Sequence, residues 1–219
     1  MRSILDARVP VNPQDFPRGY VRGMPLIYRS AVDYLAVTHV AEMGLTPVAV
    51  TITGSRLRGT HTDTSDTDVL VLVAEKLPKA KTIRRDTALL PFEGQVQSIY
   101  RYAELLSTSV PYVEALRSPF LMATLEWAPF LRALRVNDYI LEKHARNFAR
   151  HLTTRTAMVN RPEKLDRQLA ALYVLVTTGS PLVPRQVIGD PAVYEWMGQF
   201  MPEWEQGMRQ YTKEKATTT

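Results

Sequence analysis

The chain contains no cysteine in 219 residues. Disulfides, thiolate metal ligands and a cysteine nucleophile are therefore all excluded, and a reducing compartment is the simplest setting for it. It also has no apolar run near the roughly 18 to 20 residues that span a bilayer. The opening "MRSILDARVPVNPQDFPRGY" lacks the apolar core of a signal peptide, so a cytoplasmic protein with no membrane partner is expected. No G-x-x-x-x-G-K-[ST] phosphate loop is present. Counted from Asp63, a calcium loop fails for want of glycine at the sixth position and glutamate at the twelfth. The four histidines, His39, His61, His144 and His151, show no metal-ligand spacing.

What is there is ordinary in bulk, with 45% hydrophobic and 22% charged residues, enough for one good core or a core with a satellite. The net charge of +5 favours anionic partners such as nucleotides or polynucleotides by long-range attraction. Along the chain, residues 1–27 read as a proline-rich arm. Helical spacing of Val32, Ala36, Val40 and Met43, closed by Gly44, predicts a helix over 28–43. "TPVAVTIT" (46–53) and "DVLVLVAE" (68–75) read as strands. The unbroken Val/Leu run of the second implies burial on both faces. Lys76, Lys79, Lys81, Arg84 and Arg85 read as a basic connection, followed by a third strand near 93–99. Beyond Tyr100 the period becomes helical. Leu141, Ala145, Phe148 and Leu152 form one stripe, and Leu165, Leu169, Leu172 and Val176 another. The expectation is an α/β (α+β) protein. It has a small mixed sheet in a core over 28–100, a helical region over 101–210 and a flexible tail over 211–219.

The chemistry lies in "TGSRLRGTHTDTSDTDVLVLV", residues 53–73. Asp66 and Asp68 stand two apart at the mouth of an apolar strand. On a strand both side chains would share a face, with Cα atoms about 6.6 Å apart, close enough to converge on a divalent cation. Without a cation they would repel, and burying them would be costly. Oxygen ligands suit Mg²⁺ or Mn²⁺, and a Mg²⁺ held by few protein ligands completes its shell with water and phosphate oxygens. Gly54-Ser55 closes the preceding strand. Glycine lets backbone approach a ligand, and the amides that follow favour anions. The Ser55 hydroxyl can bond a terminal phosphate, and Arg56 and Arg58 follow as phosphate contacts or as solvated loop charges. The intervening "HTDTSDTD" also reads as a plain loop of Asx and Ser/Thr turns. Lys143, His144, Arg146, Arg150, His151 and Arg155 on one later helix read as a solvated face or a polyanion track. Tyr100 and Tyr102 read as core or as base-stacking residues.

Gly-Ser, a spacer of about ten residues and Asp-x-Asp resembles the signature of the nucleotidyltransferase superfamily typified by DNA polymerase β. "GSRLRGTHTDTSDTDV" is similar to a subgroup of predicted nucleotidyltransferases of bacteria and phages, some associated with RNA repair. "QSIYRYAELLSTSVPYVEALRSP" looks like that subgroup's helical continuation. The resemblance implies a two-metal transfer of NMP from an NTP to a hydroxyl, with release of pyrophosphate. Gly54, Ser55, Arg56 and Arg58 would bind the nucleotide, and Asp66 and Asp68 the metal. A third carboxylate would come from the next strand, at Glu93, where the subgroup usually has aspartate; Asp86 is the alternative. Lys164 and Arg167 stand where the subgroup carries basic residues near the nucleotide. The acceptor is open among an RNA end, a protein side chain and a small molecule such as an antibiotic. The rival class is a catalytically silent nucleotide-binding module of a toxin–antitoxin or phage-defence system.

Overall fold

Two β-branched runs and a helix of matching apolar period set up the first half of the chain. In the computed structural model, residues 8–10, 26–86, 91–134, 136, 138–154 and 162–204 are described. Helix α1 (Leu26–Glu42) carries Val32, Ala36 and Val40 on one face, all fully buried. It ends before Gly44, whose positive φ of 74° suits the left-handed turn that stops a helix. Met43, expected on the buried stripe, is 39% exposed because the helix has already ended there.

Strand β1 (Arg8–Pro10) is short; β2 (Pro47–Thr53) and β3 (Asp68–Val73) form the centre of the sheet. Beyond them come β4 (Lys81–Arg85), β5 (Phe92–Ser98) and β6 (Met122–Thr124). The order across the six-stranded mixed sheet is β1-β6-β2-β3-β5-β4. β2 runs antiparallel to β3, with Thr53 opposite Asp68. β3 runs parallel to β5, with Asp68 opposite Glu93. These two registers place three strand ends side by side.

β3 is buried on both faces, as its Val/Leu run implies. Val69, Val71 and Val73 join Val32, Ala36 and Val40 in one cluster, while Leu70 and Leu72 turn the other way. On that second face lie α3 (Ile99–Leu105), against β3 and β5, and α4 (Val110–Leu116), against β2. α4 is anchored there. Ser118, just beyond it, accepts from Thr51 Oγ1 at 2.9 Å, and the Tyr112 carbonyl accepts from the Tyr102 hydroxyl at 2.9 Å. Helix α5 (Ala128–Ala133) packs on β6.

Three segments differ from the periodic reading. Lys81–Arg85 is an edge strand rather than a connection. Its alternation is masked because only Ile83 faces the core, and charged edges are a common guard against stray pairing. Arg8–Pro10, inside the expected arm, pairs with β6. Residues 122–124, inside the expected helical region, pair with β2. The chain accordingly divides by contacts into units of residues 1–136 and 137–219, since β6 binds residues 101–136 to the sheet. Residues 1–7 and 11–25 of the arm, and the tail 211–219, lie outside the described residues.

The second unit contains α6 (Asp138–Thr154), α7 (Pro162–Thr178) and α8 (Pro191–Phe200). The two expected stripes meet in its core. Ala145, Leu152, Leu165, Leu169 and Leu172 are buried together with Met197 and Trp204. Asp190 caps α8 by accepting from the Ala192 N–H at 2.9 Å, with Pro191 at the first helical position. Among the described residues, no helix is long and apolar enough to cross a membrane.

Candidate functional site

The end of β2 passes straight into a five-residue helix, α2 (Gly54–Arg58). Gly54 adopts φ +65°, and a Cβ built there would lie 2.0 Å from Asp68 Oδ2. Glycine is therefore required twice, by the backbone conformation and by the carboxylate pressed against it. The pairing of Thr53 with Asp68 is what brings them together. Ser55 is half-buried at the second position, and its carbonyl accepts from the Gly59 and Thr60 N–H groups as α2 closes.

The loop from α2 to β3 contains the Ser/Thr turn expected of its composition. Thr62 N–H donates to Ser65 Oγ at 2.8 Å and Ser65 N–H to the Thr62 carbonyl at 3.0 Å. Arg56 braces this turn, its Nη2 donating to the Ser65 carbonyl at 2.8 Å. The aspartates therefore follow an ordered turn. β3 begins at Asp68, so strand alternation does not orient Asp66, which is exposed on the loop just before it. The loop, not the pleat, sets the spacing of the two acids.

Electrostatics tie the acids into one group. The Asp68 carboxyl is pushed above its ordinary pKa, first by burial and next by the Asp66 charge. Arg58 opposes the shift, Glu93 adds to it, and Arg56 opposes it again. Glu93, exposed on β5, is the in-register neighbour of Asp68. Asp86, the alternative third acid, is exposed and ion-paired to Arg84, with Oδ1 2.6 Å from Nε. Arg84 is itself opposite Glu93 on β4, and its pKa is raised by the Asp86 hydrogen bond and charge and, further down, by Glu93 and Asp66.

Arg58, read from sequence as a loop charge or phosphate contact, is neither exposed nor on a loop. It is 7% exposed and forms a fork with Glu114 of α4, Nε to Oε1 at 2.8 Å and Nη2 to Oε2 at 2.6 Å. Burial alone would lower the Arg58 pKa; the Glu114 carboxylate outweighs it and holds the value above normal. Arg84 was read from sequence only as part of the basic connection, and Glu114 did not stand out. The available signal for Glu114 was a single acid inside the apolar "VPYVEAL" of α4.

Thr53, Gly54, Arg58, Asp68, Glu93 and Glu114 are among the residues that line a pocket of about 400 Å³ in the first unit, with Gln95 and Tyr112; Ser55, Arg56 and Asp66 are not in its lining. Among the described residues, no three acids or histidines already stand in metal-binding geometry. The donor chemistry nevertheless fits a hard divalent cation. Half-buried Asp68 feels the charges of Asp66 and Glu93, its pKa is raised first by burial and then by Asp66, and all the candidate donors are oxygens.

Other sequence candidates fall elsewhere. Tyr102 is fully buried core. Tyr100 is 46% exposed, packs edge-on against Trp127, and follows the opposite end of β5 from Glu93. In the second unit Arg146 bonds Glu142 at 2.8 Å and the Phe200 carbonyl, and Arg150 bonds Glu203 at 3.2 Å. Lys143 and Arg150 are exposed on α6, whereas His144, read with the same face, is buried, and the side chains of His151 and Arg155 lie outside the described residues. Lys164 and Arg167 lie on α7 in the same unit.

The family model described as a nucleotidyltransferase domain matches residues 36–115, from the middle of α1 through α4. The superfamily resemblance of the Gly-Ser and Asp-x-Asp motif holds over that span, which includes every residue of the pocket. No curated protein matches the chain. Among solved structures it is similar to a nucleotidyltransferase-like protein from Exiguobacterium sibiricum 255-15, at 14% identity and a TM-score of 0.40. That match covers 80% of this chain and 66% of the other, so this chain spans just under two thirds of that protein's length.

Proposed function

We propose that this chain, whose residues 36–115 match a nucleotidyltransferase domain, is a metal-dependent nucleotidyltransferase. It moves NMP from an NTP to a hydroxyl acceptor and releases pyrophosphate. The observation that carries this reading is the contact between cradle and acids. Asp68 Oδ2 lies 2.0 Å from where a Gly54 Cβ would be, so a triphosphate against Gly54-Ser55 would be next to the Asp68 carboxylate.

Asp66, Asp68 and Glu93 are the residues to hold Mg²⁺ or Mn²⁺. When bound, such ions neutralise the triphosphate and lower the pKa of the attacking hydroxyl. Gly54 and Ser55 supply backbone N–H groups and a hydroxyl to the phosphates. Arg56 and Arg58 add positive field from behind the site while their hydrogen bonds hold the loop and α4. In the reaction the acceptor oxygen bonds to the α-phosphorus, the bond to the β-phosphate oxygen breaks, and the hydroxyl proton passes to a site carboxylate or to water. No protein group forms a covalent intermediate. The catalytic core read at 28–100 then gains α4, whose Tyr112 and Glu114 line the pocket.

An RNA end is the acceptor we favour, on the net charge of +5 and on the subgroup resemblance, with a cytoplasmic location. The second reading, a silent nucleotide-binding module, draws support from the exposed glutamate at 93 in place of the subgroup's aspartate. Each labelled NTP should be incubated with the protein, Mg²⁺ or Mn²⁺, and a pool of RNA. Label should move to the RNA with wild type and not with Asp66→Ala/Asp68→Ala. Equal transfer by both proteins refutes the mechanism, nucleotide binding without transfer supports the silent module, and label on the protein or on a small molecule changes the acceptor.

A further inference from the structure

Asp68 has two kinds of neighbour that would compete for its oxygens. One is the cation of the proposed reaction, on which this inference rests. The other is the fixed cation of Arg58. Gly54 and Arg58 stand four residues apart on α2 and so face the same way, one turn apart. Asp68 Oδ2 is against Gly54, and Asp68 and Arg58 line the same pocket. The charge of Arg58 is among those that act on Asp68. An arginine free to turn would take a carboxylate in a two-point grip, using both oxygens.

Glu114 opposes that. It engages Nε and Nη2 together, so turning the guanidinium onto Asp68 would break a buried, charge-assisted pair. Glu114 is 3% exposed, so little water competes for the pair. Its helix is held to the sheet side by the Thr51–Ser118 and Tyr102–Tyr112 hydrogen bonds, which gives the anchor a fixed base. We propose that Glu114 is a positioning residue for the cation site, restraining Arg58 so that the Asp68 carboxylate remains available to a divalent metal ion.

A plain structural staple between α2 and α4 would use the same hydrogen bonds, and a double substitution separates the two roles. Binding of Mn²⁺ to the full chain is measured from the electron paramagnetic resonance signal of the free ion, with a thermal melt of each variant. Glu114→Gln replaces the carboxylate that holds Arg58 by a neutral amide, and Mn²⁺ affinity should fall about tenfold or more, the usual effect of losing such a supporting contact. Arg58→Met/Glu114→Gln removes the competitor, and affinity should return to that of wild type. A staple predicts the opposite order, with the double variant as weak as the single or weaker. That result, or unchanged affinity in Glu114→Gln, overturns the proposal. If Glu114→Gln does not fold, Glu114→Asp, which keeps the charge but shortens the reach, should weaken binding; unchanged binding again overturns it. If the double variant does not fold, the apolar pair Arg58→Met/Glu114→Leu takes its place with the same two outcomes. Wild type that binds no Mn²⁺, or binds it equally well as Asp68→Asn, overturns the nucleotidyltransferase reading and this inference together. Mn²⁺ binding that is lost in Asp68→Asn but unchanged in Glu114→Gln overturns this inference alone.

Discussion

Two glycines of nearly identical conformation offer a controlled perturbation of the site. Gly44 has φ +74° and nothing within 4 Å of an added Cβ, while Gly54 has φ +65° and Asp68 Oδ2 at 2.0 Å. Gly44→Ala should therefore incur only the left-handed backbone strain of an L-residue, about 1–2 kcal/mol. Gly54→Ala incurs that strain and more. The new methyl sits about 1.4 Å inside the 3.4 Å at which ordinary contact begins, and Asp68 Cγ and Cβ are also close, at 3.0 and 3.3 Å. The carboxylate must leave its position, at a further 0.5–1.5 kcal/mol or so for a displaced rotamer. A shift of this size in a reacting group typically costs about 100-fold in rate. Urea denaturation should therefore rank wild type above Gly44→Ala and Gly44→Ala above Gly54→Ala. Label transfer should stay near wild type in Gly44→Ala and fall about 100-fold in Gly54→Ala. A Gly54→Ala variant as stable and as active as Gly44→Ala would refute the claim that Gly54 and Asp68 share one packed site.

Asp68 should lower stability when no cation is bound. Its folded pKa lies above the ordinary 3.8, so the folded chain holds the proton more tightly and stability is lost as pH rises from 3.8 through the folded value. Asp68→Asn should thus melt above wild type at pH 7 without divalent ions, the gap closing below about pH 4, and Mn²⁺ should raise the melting temperature of wild type alone; wild type melting higher than the variant at pH 7 contradicts this. Glu93→Ala should abolish label transfer with the fold intact by circular dichroism. Asp86→Ala should leave it nearly unchanged, because that carboxylate is engaged by Arg84 outside the pocket. Leu169→Ala, in the fully buried core of the second unit, should lower unfolding free energy by about 2–5 kcal/mol in a denaturant titration.

Where chemistry and burial are encoded locally, the sequence was sufficient. Gly54 and Asp68 fall within fifteen residues, and the loop joining them has turn chemistry of its own, so their approach was legible. The Val/Leu run of β3 announced two buried faces, and the stripes of α6 and α7 announced a helical core, because period and composition are properties of neighbouring residues. Strands made by pairing were not legible. β4 shows the core a single residue, Ile83, and β1 and β6 are three residues each, so their identity lies in their partners. Glu93 came from the resemblance; only the parallel register of β3 and β5 put it beside Asp68. The Arg58–Glu114 pair spans 56 residues of chain, and no local pattern tells a buried arginine that its carboxylate lies on a helix three strands later. A hydrogen bond and a charge act through space over a few ångströms, so side chains distant in sequence acquire their roles only when the sheet has closed.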